Sequence, residues 1–219
     1  MTMNLKKRLI IVTVLLTIAA AALPSAAWAG GWDIDPQGGK FPLSFTITGG
    51  VVKWNTSSTT LECTSVTGTG HYDTATTGKL ILAFHGCASP NTICTSIGQA
   101  SGTVTTSELE FHNVFLESDK SKLGMLITAK EGRAATFACN GFAMEFSGNG
   151  VISEMTAPKC GEASKTSTER FEASSPGNQK WTQVETAGTA YDLSWTLGGT
   201  MAFLGTTTFT FAEQATVTC

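Results

Sequence analysis

Charge is scarce in this chain, and so are most of the side chains that do chemistry. Asp, Glu, Lys and Arg make up 14% of the 219 residues, against ~25% in an average soluble protein. Only three histidines occur, His71, His85 and His112. A Gly-x-Ser-x-Gly nucleophile elbow is lacking, because Gly98-Gln99-Ala100-Ser101-Gly102 puts serine one place late. Ser-x-x-Lys, His-Glu-x-x-His, Walker A and EF-hand patterns are also missing, which removes the commonest hydrolase, metalloprotease, nucleotide and calcium readings. Cys-x-x-Cys is absent, so a thioredoxin-like redox site is not expected. Beyond the N-terminal stretch no window shows a 3.6-residue apolar period, which argues against amphipathic helices.

One long apolar run does exist, and it sits at the N-terminus. Lys6, Lys7 and Arg8 precede an apolar segment from Leu9 to Leu23, Pro24 breaks it, and Ala27-Trp28-Ala29 follows. A basic start, an apolar middle and a small-x-small end predict a signal peptide over residues 1–29. The apolar run, roughly 15 residues, is short of the ~20 needed to span a bilayer. The expected product is therefore secreted, with no integral membrane contact after cleavage. Losing that leader leaves 11 Lys and Arg against 17 Asp and Glu, a net charge near −6. Such a balance disfavours nucleic acid and anionic membranes as partners, since both need a basic footprint.

What fills the chain instead is Thr, Ser and Gly. Thr suits a pleated, half-buried surface, and Ser and Gly are poor helix formers. Alternation of period two recurs throughout. Leu43, Phe45 and Ile47 share a phase with Phe41, as do Leu80, Leu82 and Phe84; Leu109, Phe111 and Phe115; and Phe142, Met144 and Phe146. Tyr191, Leu193 and Trp195 share another, and Phe209, Phe211, Ala215 and Val217 a last one. Ile81 and Ala83 make the Leu80–Phe84 strand apolar on both faces, as a central strand would be. Asn140-Gly141, Asn149-Gly150 and Pro176-Gly177-Asn178 mark turns between runs. Ten to thirteen short strands are expected by this count, in an antiparallel β-sandwich, with a β-barrel as the alternative. Residues 30–219 read as a single all-β domain, with a weak boundary possible in the polar stretch 156–169.

Six cysteines, at 63, 87, 94, 139, 160 and 219, all follow the leader. An even count in an oxidising compartment predicts three disulfides and no free thiol. Cys87 and Cys94 close a short loop in FHGCASPNTICTS, so they are expected to pair as a stapled turn. Zinc is not expected there, because the spacing is too wide and no second close pair follows. Cys63 and Cys139 sit in phase with apolar neighbours and are expected to bridge in the core. Cys160 and Cys219 then remain, tying down the C-terminal end.

Other candidate chemistry is thin, and no catalytic residue, metal or cofactor is predicted. Trp54 and Trp181 stand between polar neighbours and are the candidate pair for stacking on a sugar ring. Glu108 and Glu110 alternate on one strand face, which is commonly just a solvated edge. Any histidine could join a serine in a dispersed hydrolase site, but nothing in the sequence selects one.

The segments CTSVTGTGHY, TTGKLILAFHGC, CTSIGQASGTVTTSELEFH, ATFACNG and SGNGVISEMTAPKCGEASKT, in that order over roughly residues 60–170, resemble a family of exported Thr/Gly-rich β proteins from high-GC Gram-positive bacteria. A looser likeness continues from Lys180 to Leu193. The resemblance implies an extracellular product outside the membrane and carries no activity or site residue with it. The expectation is a secreted non-enzymatic β module, structural or binding, whose partner is a cell-surface polysaccharide or a protein. A carbohydrate-binding module and a secreted hydrolase are the alternatives.

Overall fold

The computed structural model describes residues 31–184, 190–195 and 199–219, with only the backbone of Ser194 and Trp195. The expected leader therefore lies outside the described residues, as does the Trp195 side chain. Nineteen strands form and no helix is present among the described residues. They are β1 (Asp33–Pro36), β2 (Leu43–Gly49), β3 (Val52–Asn55), β4 (Thr60–Cys63), β5 (Ser65–Tyr72) and β6 (Thr77–His85). Next come β7 (Ala88–Ser89), β8 (Thr92–Thr95), β9 (Val104–Thr105), β10 (Leu109–Phe115), β11 (Leu123–Ala129), β12 (Arg133–Cys139) and β13 (Phe142–Gly148). The chain ends with β14 (Val151–Ala157), β15 (Ala163–Phe171), β16 (Ala173–Ser175), β17 (Asn178–Gln179), β18 (Leu193–Trp195) and β19 (Thr200–Thr218).

Strand pairing decides between the two expected architectures. The antiparallel circuit β19-β2-β5-β6-β10-β11-β14-β15 returns to β19, closing an eight-stranded barrel. Closure removes both sheet edges, which a sandwich would leave open. A second circuit, β19-β3-β4-β7-β8-β12-β13-β18, also returns to β19. Its strands continue those of the first: β2 runs on into β3, β4 into β5, β6 into β7, and β13 into β14. Residues 200–204 of β19 pair in the second circuit and 205–211 in the first. The molecule is thus a barrel of two stacked tiers sharing one long strand. Breaks between tiers explain why the strands outnumber the ten to thirteen expected.

Alternation matches the first tier closely. Leu43, Phe45, Ile47, Leu80, Leu82, Phe84, Leu109, Phe111, Phe115, Phe209 and Phe211 are all buried. Phe45 lies among Tyr72, Phe111, Phe209 and Phe211, with ring centroids 5.0 to 6.2 Å apart. Gly70 makes room for that ring: a Cβ there would lie 2.6 Å from it. Two expectations fail locally. Ile81 is 43% exposed, so β6 buries one face rather than two, and Phe142 is 73% exposed because it stands at a hairpin tip beyond the core. That tip is the predicted Asn140-Gly141 turn, with φ of 50° and 81°.

Residues 31–36 lie across the far end of the first tier. Trp32 Nε1 donates to Gly124 O at 2.9 Å, the Ile34 amide to Ala75 O at 2.9 Å, and β1 pairs with the end of β19. The polar stretch 156–169 falls within the β14–β15 hairpin, which pairs directly with β19.

The disulfides correct two expected pairings. Cys63 bridges Cys87 and Cys94 bridges Cys139; Cys160–Cys219 is as expected. The first four cysteines form a row across β4, the residue before β7, β8 and β12. Glu62 faces Ala88, Ala88 faces Ile93 and Cys139 faces Cys94, so Cys87 and Cys94 each have a cysteine on either side. Hydrogen bonding chooses among them. The Cys94 amide donates to Cys87 O at 3.0 Å, which makes Cys87 and Cys94 the wide, hydrogen-bonded kind of antiparallel pair, ~5.5 Å between Cα atoms. With its amide spent on Cys87, Cys94 meets Cys139 in the narrow kind, Cα atoms 4.2 Å apart; the Cys87 amide donates to Gly102 O, and Cys87 stands 4.0 Å from Cys63, Cα to Cα. Short loop length pointed to the wrong neighbour because the ladder alternates.

Candidate functional surface

Aromatic and aliphatic side chains fill most of the interior. In the second tier Trp54 packs 4.4 Å from Phe84, 4.9 Å from Phe146 and 5.0 Å from Phe203, centroid to centroid. Trp54 is 3% exposed, which corrects its expected place on a sugar-binding platform. Its polar neighbours in sequence, Lys53 and Asn55, point to the opposite face of β3. A cavity of about 60 Å³ lies where the tiers meet, bounded by Trp54, Phe84, Ile127 and Phe203.

One acid is enclosed in the first tier. Glu169 is fully buried on β15 and accepts a 2.6 Å hydrogen bond from Ser153 Oγ. Burial pushes its carboxyl up to about 7, and the Ser153 bond opposes the shift. Among the described residues its Oε1 has no hydrogen-bond partner, nor has the Oγ1 of Thr207, which faces it on β19. Tyr72, donating to Asn113 Oδ1 at 3.1 Å, is raised well above the usual phenol range by burial and then by the Glu169 charge. No pattern in the sequence marks Glu169 as buried, because Arg170 and Glu172 beside it are ordinary surface charges.

The outer wall has two dissimilar sides. On β10, β11 and β14, outward Val114, Leu126 and Ile152 are covered by Val184 and Tyr191, with Trp181 packed against them. Trp181 is half-buried, with Lys122 Nζ 5.1 Å and Lys180 Nζ 5.4 Å from its ring. It therefore serves as a lid on an apolar patch and shares no surface with Trp54. The expected aromatic pair is not brought together.

On the opposite side, β15, β19, β2 and β5 carry four Thr-x-Thr segments in register. Thr168, Thr208, Thr48 and Thr67 form one row across the strands, and Thr166, Thr210, Thr46 and Thr69 the next. Six of these threonines are exposed, while Thr168 and Thr208 are half-covered. Each x residue, Ser167, Phe209, Ile47 and Gly68, points inward. Sequence reading passed this grid by: the Thr-x-Thr segments were visible singly, but the register that aligns them is tertiary.

An open groove of about 550 Å³ runs onto the second of these rows, where Thr46, Thr69 and Thr210 line it together with Ser44, His71, Lys79, Ile81 and Glu108. Ser44 stands opposite His71 in the β2–β5 ladder, and His71 Nε2 is 3.1 Å from Asp73 Oδ1. Lys79 Nζ binds Glu108 at 2.9 Å, an exposed pair that lowers the carboxyl and raises the amine. The remaining histidines lie elsewhere. His85 Nε2 bonds Thr67 Oγ1 at 2.9 Å, and His112, half-buried on β10, is lowered by desolvation. Glu110 and His112 share the outer face of β10, with Glu110 opposite Lys79 in the β6–β10 ladder. Serine, histidine and aspartate thus lie near one another at one end of the β2–β5 ladder.

All six cysteines are bridged, and among the described residues no group of three or more His, Cys, Asp or Glu side chains could hold a metal ion. No described helix is long and apolar enough to cross a membrane. Set against protein-family models, curated proteins and solved structures, the chain matches none of them.

Proposed function

We propose that the protein is a secreted, non-enzymatic module that acts through its outer surface, as a structural or binding element at the cell exterior. The observation that carries this reading is the contrast between a packed interior and a bare, uncharged threonine wall. Three cross-links support an oxidising compartment, since disulfides persist there and are rare in the cytosol. The leader-like N-terminus points the same way. Outside the apolar patch covered by Val184 and Tyr191, outward strand positions bear mostly Thr, Lys, Glu and His, while the inside is largely aromatic and aliphatic. A membrane-spanning barrel needs the reverse, an apolar belt outside and a polar lumen. A polysaccharide or a protein remains the expected partner class, without the two tryptophans as its platform.

The hydrolase reading keeps one observation, the meeting of Ser44, His71 and Asp73. It is tested by offering the secreted protein a panel of ester, amide and glycoside substrates together with a fluorophosphonate probe. No turnover and no labelling are expected. Labelling that disappears in Ser44→Ala, or turnover that disappears in His71→Ala, overturns the non-enzymatic assignment.

A further inference from the structure

Strand register explains how the groove on the outer wall is built. Thr210, Thr46, Thr69 and Ile81 stand side by side on β19, β2, β5 and β6 and form one bank. Ser44, His71 and Lys79, two residues along the same strands, form the other, which Ala212 and Glu108 extend at its ends. Between the banks Phe211, Phe45 and Leu80 are buried and Gly70 has no side chain, so the floor is backbone. The banks stand about 6.8 Å apart and cross three strand gaps, about 14 Å along the curved wall.

Each bank has its own chemistry. The first offers threonine methyls and hydroxyls and ends on Ile81, an aliphatic side chain left 43% exposed. The second offers a serine hydroxyl, an imidazole and an ammonium. Each of those two nitrogen groups has a carboxylate beside it, Asp73 at 3.1 Å from His71 and Glu108 at 2.9 Å from Lys79. Among the described residues the hydroxyls of Ser44, Thr46, Thr69 and Thr210 make no hydrogen bond within the protein.

From this we infer that the groove binds a neutral glycan chain, a short run of sugar rings lying across the strands. A sugar ring carries C–H edges and hydroxyls on one body, and the two banks meet both. Paired charges leave the groove near neutral, so an anionic or cationic polymer gains little by entering. Each pair still supplies donors and acceptors for hydroxyls. An extended peptide fits less well, because these first-tier strands are paired on both sides and offer no edge to extend. With no aromatic ring to stack on, the grip on each sugar is weak, which favours a polymer filling the groove over a free monosaccharide. The inference rests on the outer-surface reading above and names a ligand for it.

The test is affinity electrophoresis of the full disulfide-intact protein in native gels cast with starch, laminarin, galactomannan or pullulan, plus retention on insoluble cellulose and chitin. At least one of these neutral polymers should retard or retain the wild type. The effect should persist in about 0.5 M sodium chloride, where exposed charges are screened. Ile81→Asp and Thr46→Lys, both at exposed positions, should each weaken binding about tenfold or more while leaving the protein's melting temperature unchanged. Thr46→Val/Thr210→Val keeps side-chain shape, removes two hydroxyls and should weaken binding several-fold. Thr156→Lys, outside the groove, should bind as the wild type does. Folded wild type that passes every neutral polymer unhindered overturns the inference. So does binding that Ile81→Asp and Thr46→Lys leave intact, or binding to polygalacturonate alone that salt abolishes. Each of these results leaves the non-enzymatic assignment standing. Release of reducing ends from a polymer held in the groove would instead sink that assignment and keep the ligand.

Discussion

The two tiers of the barrel are held together differently. First-tier strands are seven to nine residues long, apart from the shared β19, and each pairs along most of its length. In the second tier β12 and β13 match that length, but β3, β4 and β8 have four residues, β18 three and β7 two. Short ladders contribute few hydrogen bonds and little cooperative order, and this is where Cys63–Cys87 and Cys94–Cys139 lie. Covalent ties stand in for strand length. The long tier also holds a fully buried carboxyl, Glu169.

Removing second-tier sulfur should have the largest effect. With 45 residues between its ends, the Cys94–Cys139 bridge is worth about 4 kcal/mol by loop entropy, and Cys94→Ala/Cys139→Ala adds lost packing at two buried positions. The Cys160–Cys219 bridge, spanning 59, is also worth about 4 kcal/mol by loop length alone. Yet Cys160→Ser/Cys219→Ser should cost less than half as much. Both of those cysteines are exposed, and β1 and β15 hold the end of β19 regardless. Urea unfolding of the two double variants measures the gap; equal losses would mean the tiers do not differ in this way.

Glu169→Gln tests the long tier. A carboxyl raised to about 7 in the fold from an ordinary 4.5 favours the folded state fully below pH ~4.5 and loses that contribution as pH rises through 7. Glutamine removes the loss, so the variant should be more stable by up to about 3 kcal/mol near pH 8.5 and close to neutral at pH 4. Thermal melts at the two pH values give the difference, and a pH-independent effect would place the carboxylate in contact with water.

The smallest expected effect is at the apolar lid on the first tier. Trp181→Ala should cost about 2 kcal/mol or less, since the ring is only half-buried. The loss should be local, visible as faster amide exchange in β10, β11 and β14 without change in the second tier. Global loosening of the Cys94–Cys139 region would contradict it.

The all-β class, the phase of most core strands and the absence of free thiols were legible from residue spacing. Phe45, Phe111 and Phe209 announce which side of their strands faces inward because a pleated strand repeats every two residues. Trp54 misled, since its polar neighbours belong to the other face of the same strand. The candidate surface was legible only in fragments. Four Thr-x-Thr segments and a lone Ser44 carry no mark of their neighbours until β19 meets β2 and β15.

By itself, then, the sequence determined period, turn positions, the number of cross-links and the shortage of charge, all of which are local or compositional. Tertiary structure alone decided closure into two tiers, which cysteine faces which, the burial of Glu169 and the alignment of eight threonines. Those depend on strand register, and register is set by contacts between segments far apart in the chain.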